Sequence, residues 1–503
     1  MQKENIIIIG SGFAGLSAAC FLARSGASVT VLEQHHQPGG RARRLEEEGF
    51  RFDMGPSWYW MPDVFDRFFA AFGKKTSDYY ALERLSPSYD IYWADGPVSV
   101  PADYAGLRNL FESLEKGSAA KLDAYLEGAA FKYKTGMQQL AYKPGRSLLE
   151  FADMGMLKAM LGMDMFSSMK SHIGKYFQHP RLRQLLEFPI LFLGALAEHI
   201  PALYSFMNYA DIQLGTWYPK GGMYSVVEAM YTLALELGVD FRFSEQVKAI
   251  EMENNGRAGK VRTAANCYNA DVIVGAADYH FIETQLLPEA ARSYSTLYWE
   301  RRVMAPSCLI YYVGINKKLK NVRHHSLFFD VPFDAHAAEI YTQPQWPTDP
   351  LFYLSITSQT DNTVAPPGHE NLFLLIPVAA GLTGDDEALR KRYFDKVIGR
   401  LEQQLGEPIA PHIVYYKSYA GSNFMQDYNA FKGNAYGLAN TIRQTALLKP
   451  SMHSRKVPNL FYTGQLTVPG PGVPPAIISG EIVAAEVQKY LSRKPIAQRK
   501  ATV

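Results

Sequence analysis

Near the start of the chain, Gly10-Ser11-Gly12-Phe13-Ala14-Gly15 has the residue types and spacing of a phosphate cradle. Gly10 can take a tight turn. Gly12 lacks a Cβ, so a pyrophosphate can come close to the backbone, and Gly15 lets a following helix pack against a preceding strand. The start of such a helix offers free N–H groups and the positive end of a dipole to phosphate. Glu33, 23 positions after Gly10, completes the chemistry, because a carboxylate there can accept both hydroxyls of an adenosine ribose. The same charge would repel a 2′-phosphate, which argues against NADP. The elements that must position these residues surround them. Ile6-Ile7-Ile8-Ile9 reads as a buried parallel strand, and Leu16 to Arg24 carries apolar residues at helical spacing. Gly26 ends that helix, and Ser28 to Leu32 forms a second strand with Glu33 at its end. A glycine-rich turn in an unrelated α/β domain would leave the placing of Glu33 to chance.

Beyond the second strand comes Gly39-Gly40-Arg41-Ala42-Arg43, which is not part of an NAD fingerprint. It would bring another backbone turn close to the nucleotide, with Arg41 able to face a phosphate; a solvated basic loop is the plainer alternative. Gly49 to Pro62 then carries a short strand into a glycine-proline turn thick with aromatics.

These residues carry a family resemblance. The first glycine run, Glu33, Gly39-Gly40-Arg41 and Phe52-Asp53-Met54-Gly55-Pro56-Ser57 resemble the FAD-binding front end of the phytoene desaturase family. This is the bacterial carotenoid desaturase branch of the amine-oxidase-like flavoproteins. Trp58 to Phe65 resembles its phytoene desaturases more than its hydroxycarotenoid desaturases, and Gly215 to Met223 resembles the passage leading from the substrate domain back to the flavin domain. The resemblance spans nearly the whole chain. It implies an α/β fold, a Rossmann-type FAD-binding domain with an interleaved α+β substrate domain. The first would comprise 1–88, 219–300 and 446–491, the second 89–218 and 301–445, followed by a basic tail at 492–503.

For the cofactor, the resemblance implies contacts from Gly10, Gly12, Phe13, Ala14, Gly15, Glu33, Gly39, Gly40 and Arg41, and from Gly55, Pro56 and Ser57. Val247 sits where the family passes backbone groups to the adenine. Gly464 and Gln465 would meet the ribityl chain and pyrophosphate, and Gly472, Val473 and Pro474 the isoalloxazine near N1 and O2. Reduced flavin carries negative charge there, which a helix N-terminus stabilises. Gln465 and Pro475 depart from many relatives, which bears on the contacts and not on the cofactor.

The middle of the chain is less explicit. Tyr89 to Pro101 alternates and turns at Asp95-Gly96, a hairpin signature, and Tyr104 to about Leu203 is helical in pattern. Within it Met154, Met156, Met160, Met163, Met165 and Met169 make a pliable stretch, either core or a surface for a greasy partner or bilayer. Tyr224 to Leu237 reads as a helix, Val239 to Phe243 and Gln246 to Met252 as strands, with a turn at Asn254-Asn255-Gly256. Ala270 to Asp278 is a further strand ending in an acid. Ser307 to Asn316, Leu351 to Thr357 and Asn371 to Ala379 suggest a second sheet, whose Tyr311, Tyr312, Phe352 and Tyr353 could wall a long apolar tunnel or serve as core. His324-His325 is a tempting metal pair, but neighbours on a strand point to opposite faces, so it reads as structural and no metal is expected. Asn459 to Gly464 is a last strand, and Pro475 to Leu491 a last helix.

Composition sets the bounds. A chain of 503 residues with 47% hydrophobic and 20% charged residues is globular and too long for one ordinary core. A net charge of +2 is too small for nucleic acid as a partner. Cys20, Cys267 and Cys308 lack metal or redox spacing and read as buried inert thiols of a reducing cytoplasm. The first strand begins too early for a signal peptide, and the best apolar run, Phe188 to Ala197, is too short to span a bilayer. Peripheral contact with a membrane remains open to the basic tail, which carries Arg493, Lys494, Arg499 and Lys500.

The resemblance implies a chemistry: FAD-dependent desaturation of phytoene toward lycopene, with hydride passing from an allylic carbon to flavin N5 and a proton leaving the neighbouring carbon. The developing cation spreads over the polyene, so the demand on a side-chain base is small. No carboxylate or triad is identifiable as a catalytic base. Oxygen or a membrane quinone would reoxidise the flavin. Hydroxycarotenoid desaturation, carotenoid isomerisation or retinoid saturation share the same front end, an amine oxidase fits the aromatic runs less well, and a flavin-bound carotenoid carrier is an alternative of another class.

Overall fold

Four isoleucines in a row leave a strand no polar face, and both faces are buried. In the computed structural model, which describes residues 3–145, 167–191, 193–441, 443–445 and 448–493, β1 (Asn5–Ile9) is the central strand of a five-stranded parallel sheet. Ile6 and Ile8 face the core beneath α1 (Phe13–Arg24), and Ile7 and Ile9 face a separate core containing Trp299 and Tyr462. β1 pairs on one side with β2 (Ser28–Leu32) and on the other with Val272–Gly275. Asp240–Arg242 and Leu460–Tyr462 form the edges.

Helix α1 lies against the final helix, Val473–Ser492. Ser17 Oγ donates to the Ile477 carbonyl at 2.7 Å, and a Cβ on Gly480 would stand 2.5 Å from the Ala14 carbonyl oxygen. The two ends of the chain are thereby packed together. The final helix extends the expected segment by two residues at its start and one at its end.

A second, seven-stranded sheet has the order Ile413–Tyr419, Ser307–Ile315, Glu370–Val378, Phe352–Ser355, His325–Phe328, Tyr89–Trp93 and Gly96–Val100. It is antiparallel except where His325–Phe328 runs parallel to Tyr89–Trp93. One face packs on the helix Glu387–Leu405, the other on the cavity described below. The helical middle resolves into Tyr104–Leu114, Ser118–Thr135, Met169–Tyr176 and Pro180–Leu191. Met169 is fully buried there. Met154 to Met165 and the tail beyond Arg493 lie outside the described residues. No described helix is long and apolar enough to cross a membrane.

Three sequence expectations change. Ala270 to Asp278 is a strand only over Val272–Gly275: Ala276 makes a last N–H bond to the Ile9 carbonyl at 2.9 Å, Ala276 and Ala277 line the cavity, and Asp278 caps the helix Tyr279–Phe281. Cys267 is exposed, on the outer strand of the small sheet Val247–Met252, Ala258–Thr263 and Cys267–Asn269; only Cys20 and Cys308 are buried. The rings of His324 and His325 do not diverge: the strand begins at His325, so alternation does not extend to its predecessor, and the ring centroids are 4.4 Å apart. Among the described residues no group of three or more His, Cys, Asp or Glu is arranged to hold a metal.

Candidate functional site

Gly10 takes φ +102°, a conformation that favours glycine, and its N–H bonds to the Leu32 carbonyl at 2.8 Å. The chain then turns through Ser11 into α1, whose N-cap Gly12 is extended at φ −67°. A Cβ on Gly12 would have no protein atom within 4 Å. The first N–H groups of α1, those of Phe13 and Ala14, lie beyond the reach of the helix's own carbonyls and line the cavity.

Glu33 is buried at the end of β2. Its Oε2 accepts from the Ser11 N–H at 2.8 Å and the Ser11 hydroxyl at 2.6 Å, and its Oε1 from the His35 N–H at 3.0 Å. The carboxylate therefore clamps the glycine turn to β2, and only its remaining lone pairs face the cavity. This double duty was not visible in the sequence, since Ser11 occupies an unconstrained position of the motif.

The second glycine pair lies directly on the first turn. Gly39 donates to the Ser11 carbonyl at 2.9 Å, and a Cβ on Gly40 would meet the Gly12 α-carbon at 3.3 Å. Arg41 follows, half-buried, its guanidinium carbon 5.2 Å from the centre of the Tyr428 ring. The Gln465 side chain lies beside it, 3.0 Å from a guanidinium nitrogen when its oxygen faces Arg41. The Arg41 Nε is buried and has no partner among the described residues. Asp278, also at the cavity wall, is pushed upward by burial against the pull of Arg41.

Asp53 is spent on the scaffold. Its carboxylate accepts from the N–H groups of Met223 and Tyr224 at 2.8 and 2.9 Å, tying the strand Phe50–Asp53 to the start of the helix Tyr224–Glu236. Burial pushes it up to about 6. Gly222, at φ +91°, is fixed by that carboxylate, since a Cβ would fall 2.6 Å from its Oδ2. Gly55, Pro56 and Ser57 continue from this anchor along the cavity wall.

All the expected cofactor residues, Gly15 excepted, line one cavity of about 800 Å³. Gly15 is packing: a Cβ there would overlap the Gly10 carbonyl and come 3.2 Å from the Ala276 Cβ. Val247 closes one end, with Glu245 and Gln246. At the C-terminal side the hydrogen bonding narrows which groups can donate. The N–H of Gly464 bonds to Ser479 Oγ at 3.0 Å and is not free for a ligand. The last helix starts at Gly472 with two prolines, Pro474 and Pro475, which carry no N–H, while that of Ala476 goes to the Gly472 carbonyl at 3.0 Å. Gly472 and Val473 are the donors left at that end.

The cavity continues into an apolar arm walled by Trp58, Trp60, Phe188, Phe206, Phe329 and Tyr353, among others. Phe352 and Tyr353 line it, whereas Tyr311 packs on Phe394 behind the sheet and Tyr312 donates to the Met54 carbonyl at 2.8 Å. His336 also reaches the wall, but both ring nitrogens are engaged, Nε2 with the Pro377 carbonyl at 2.9 Å and Nδ1 with the Leu351 N–H at 2.9 Å. Burial pushes it down to about 4, so it is neutral and fixed. Phe329, Phe333 and His336 were missed because nothing in the sequence marks the segment after His325–Phe328 as a wall.

Lys449 is buried near Asn440 and Gly470, with no partner for its ammonium among the described residues. Burial pushes it down to about 7. Below that pH the lysine is charged in both folded and unfolded chains, and the burial penalty is fully present. Between about 7 and an unfolded value of roughly 10.4 only the unfolded chain holds the proton, so stability rises with pH. Lys449→Met is expected to melt a few degrees higher than the parent at pH 7, the difference closing toward pH 10 in thermal melts.

A parallel sheet with a double glycine turn, a terminal carboxylate and a cavity running from there into an apolar arm defines an adenine-dinucleotide oxidoreductase. The fold recurs in solved structures: an oxidoreductase from Methanosarcina mazei (TM-score 0.62, 16% identity, covering 96% of this chain and 100% of that one) and putrescine oxidase bound to putrescine (TM-score 0.59, 14%, 97% and 99%). The sequence model of flavin containing amine oxidoreductases matches residues 13–488, and the chain belongs to that family and, within it, to the phytoene desaturase family. It is 42% identical to a carotenoid 3,4-desaturase of Haloarcula japonica over 486 residues, 96% of this chain and 98% of that protein. It is 28% identical to a zeta-carotene-forming phytoene desaturase of Myxococcus xanthus (97% and 95%). A 4,4'-diapophytoene desaturase of Staphylococcus aureus is 29% identical (97% and 99%). The chain is a flavin-dependent oxidoreductase and its cofactor is FAD. The residues present fit that group, given the open space at Gly12 and the unpartnered buried Nε of Arg41.

Proposed function

We propose that this protein desaturates a long acyclic carotenoid. The observation that carries the reading is the continuity of the cavity: the glycine turns that suit a dinucleotide open directly into an arm of aromatic and aliphatic side chains. When bound, FAD supplies a two-electron acceptor for hydride. The chain's own residues do the rest. Glu33 and Val247 hold the adenosine end, Gly12, Gly40 and Arg41 the pyrophosphate, and Gly472 and Val473 the ring. Trp58, Phe188 and Phe206 orient the polyene and keep water from it. The discontinuous segments 1–88, 219–300 and 446–491 would carry the cofactor, and 89–218 with 301–445 the polyene.

Two substrates follow from different observations. The higher identity to a 3,4-desaturase favours a bond near the end of an already conjugated chain. The Trp58-to-Phe65 stretch and the relatives named for phytoene and diapophytoene favour phytoene, desaturated toward lycopene. Purified holoprotein mixed anaerobically with phytoene or with lycopene separates them: bleaching of the flavin and a red shift of the polyene with one and not the other identifies the substrate. Binding without either change, with every acyclic carotene, would mark a carrier and refute desaturation. Such substrates reside in bilayers, so contact with a membrane surface, and a quinone or oxygen as final acceptor, complete the proposal.

A further inference from the structure

We propose that Lys449 is the counter-charge to the reduced flavin, its Nζ taking up one proton as the ring gains negative charge and giving it back on reoxidation. The inference needs the FAD and not the identity of the carotene. Lys449 is buried, with no partner for Nζ among the described residues. Asn440, which lines the cavity, lies beside it, and its Oδ1 is likewise buried without a partner among them. Both side chains converge on Gly470, where a Cβ would stand 2.9 Å from Asn440 Oδ1 and 3.3 Å from Lys449 Nζ. Gly470 is the middle of Val468-Pro469-Gly470-Pro471-Gly472, a loop that lines the cavity at Val468, Pro469, Pro471 and Gly472. That loop ends at Gly472 and Val473, the two residues proposed to hold the ring. The lysine thus sits against the segment that presents those donors.

A methionine would fill the same space with no polar atom to desolvate. Lysine is a cost to the oxidised protein, because an ion in an apolar setting needs a partner of opposite sign. The fold supplies none among the described residues: Asn440 and Gly470 are uncharged, and no ionisable group acts on Lys449, so burial alone pushes it down to about 7. The negative charge that does arise beside this loop is that of the reduced ring. An opposite charge close by shifts a titration by about 1–3 pH units. Above pH 7 Lys449 is therefore neutral while the flavin is oxidised and charged once it is reduced.

The charges balance. Two electrons and one proton enter the ring and leave it with one negative charge. A second proton adds to the lone pair of Nζ, and the two together are neutral. Reoxidation by a quinone or oxygen carries off both electrons and both protons. Under the desaturase reading the substrate surrenders one hydride and one proton, so the reductive half would release no net proton just above pH 7.

The test is potentiometry of the holoprotein, reduced stepwise with dithionite in equilibrium with a reference dye from about pH 7 to pH 10. For a two-electron couple, each proton taken up contributes about 30 mV per pH unit. The potential of the parent should fall by nearly 60 mV per unit just above pH 7 and by about 30 mV per unit at the alkaline end. Lys449→Met and Lys449→Gln should keep their FAD, follow about 30 mV per unit throughout, and lie below the parent at pH 7. A parent slope of about 30 mV per unit over the whole range, or variants that keep the steep segment, overturns the proposal. The parent slope decides it even if neither variant folds. No carotene enters the measurement, so failure here leaves the desaturase reading standing.

Discussion

Gly12→Val is expected to give a folded protein without FAD. Gly12 adopts φ −67°, which valine tolerates, and no protein atom lies within 4 Å of the position of its Cβ. The fold therefore has no objection to the side chain. The open space adjoins the N–H groups at the start of α1, and Arg41 lines the same cavity. Two branched methyl groups there would exclude a pyrophosphate from two or three charge-assisted hydrogen bonds at about 1.5–3 kcal/mol each. The FAD dissociation constant should rise by about 10³ or more, with desaturation falling to background. Parent-like melting together with a missing flavin spectrum supports the assignment; a normal flavin content contradicts it.

Gly15→Ala should do the opposite, damaging the fold before the site. The new methyl would overlap the Gly10 carbonyl and come 3.2 Å from the Ala276 Cβ. The obstruction is backbone in a turn already held by Leu32 and Glu33, so it cannot rotate away. Overpacking of this kind costs about 1–3 kcal/mol and more where backbone must move, and the expected result is a sharply lower melting temperature or insoluble protein even in excess FAD. If the variant melts like the parent and loses only flavin, the glycine is a ligand contact and not a packing site. The two substitutions lie three residues apart and separate binding from folding.

The glycine run and Glu33 could be read from sequence because each needs one residue type at one distance along a strand, turn and helix. The Gly39 turn and the last helix were readable for the same local reason. What was hidden depends on contacts between distant segments. Ser11 gives no sign that it will occupy Glu33, nor Asp53 that it will cap a helix starting 171 residues later. The prolines at 474 and 475 are plain in the sequence, but which N–H groups they leave becomes clear only when Ala476 is seen to bond back to Gly472. Which strand residues reach the tunnel depends on how the sheet is assembled, so Tyr353 and Tyr311 look alike until it is. The histidine pair misled because alternation was assumed where the strand had not yet begun.

The central sheet joins strands made far apart in time. Ile6 pairs with Val272, and Ile273 with Leu460. At roughly 5–20 residues per second of synthesis, β1 waits about 15–50 s for one of its two neighbours, and the edge strand arrives later still. Until then the glycine turn, the Arg41 loop and the last helix cannot surround a nucleotide together. The nascent chain would meanwhile carry the open edge of a strand with four consecutive isoleucines, which makes it a natural client for chaperones.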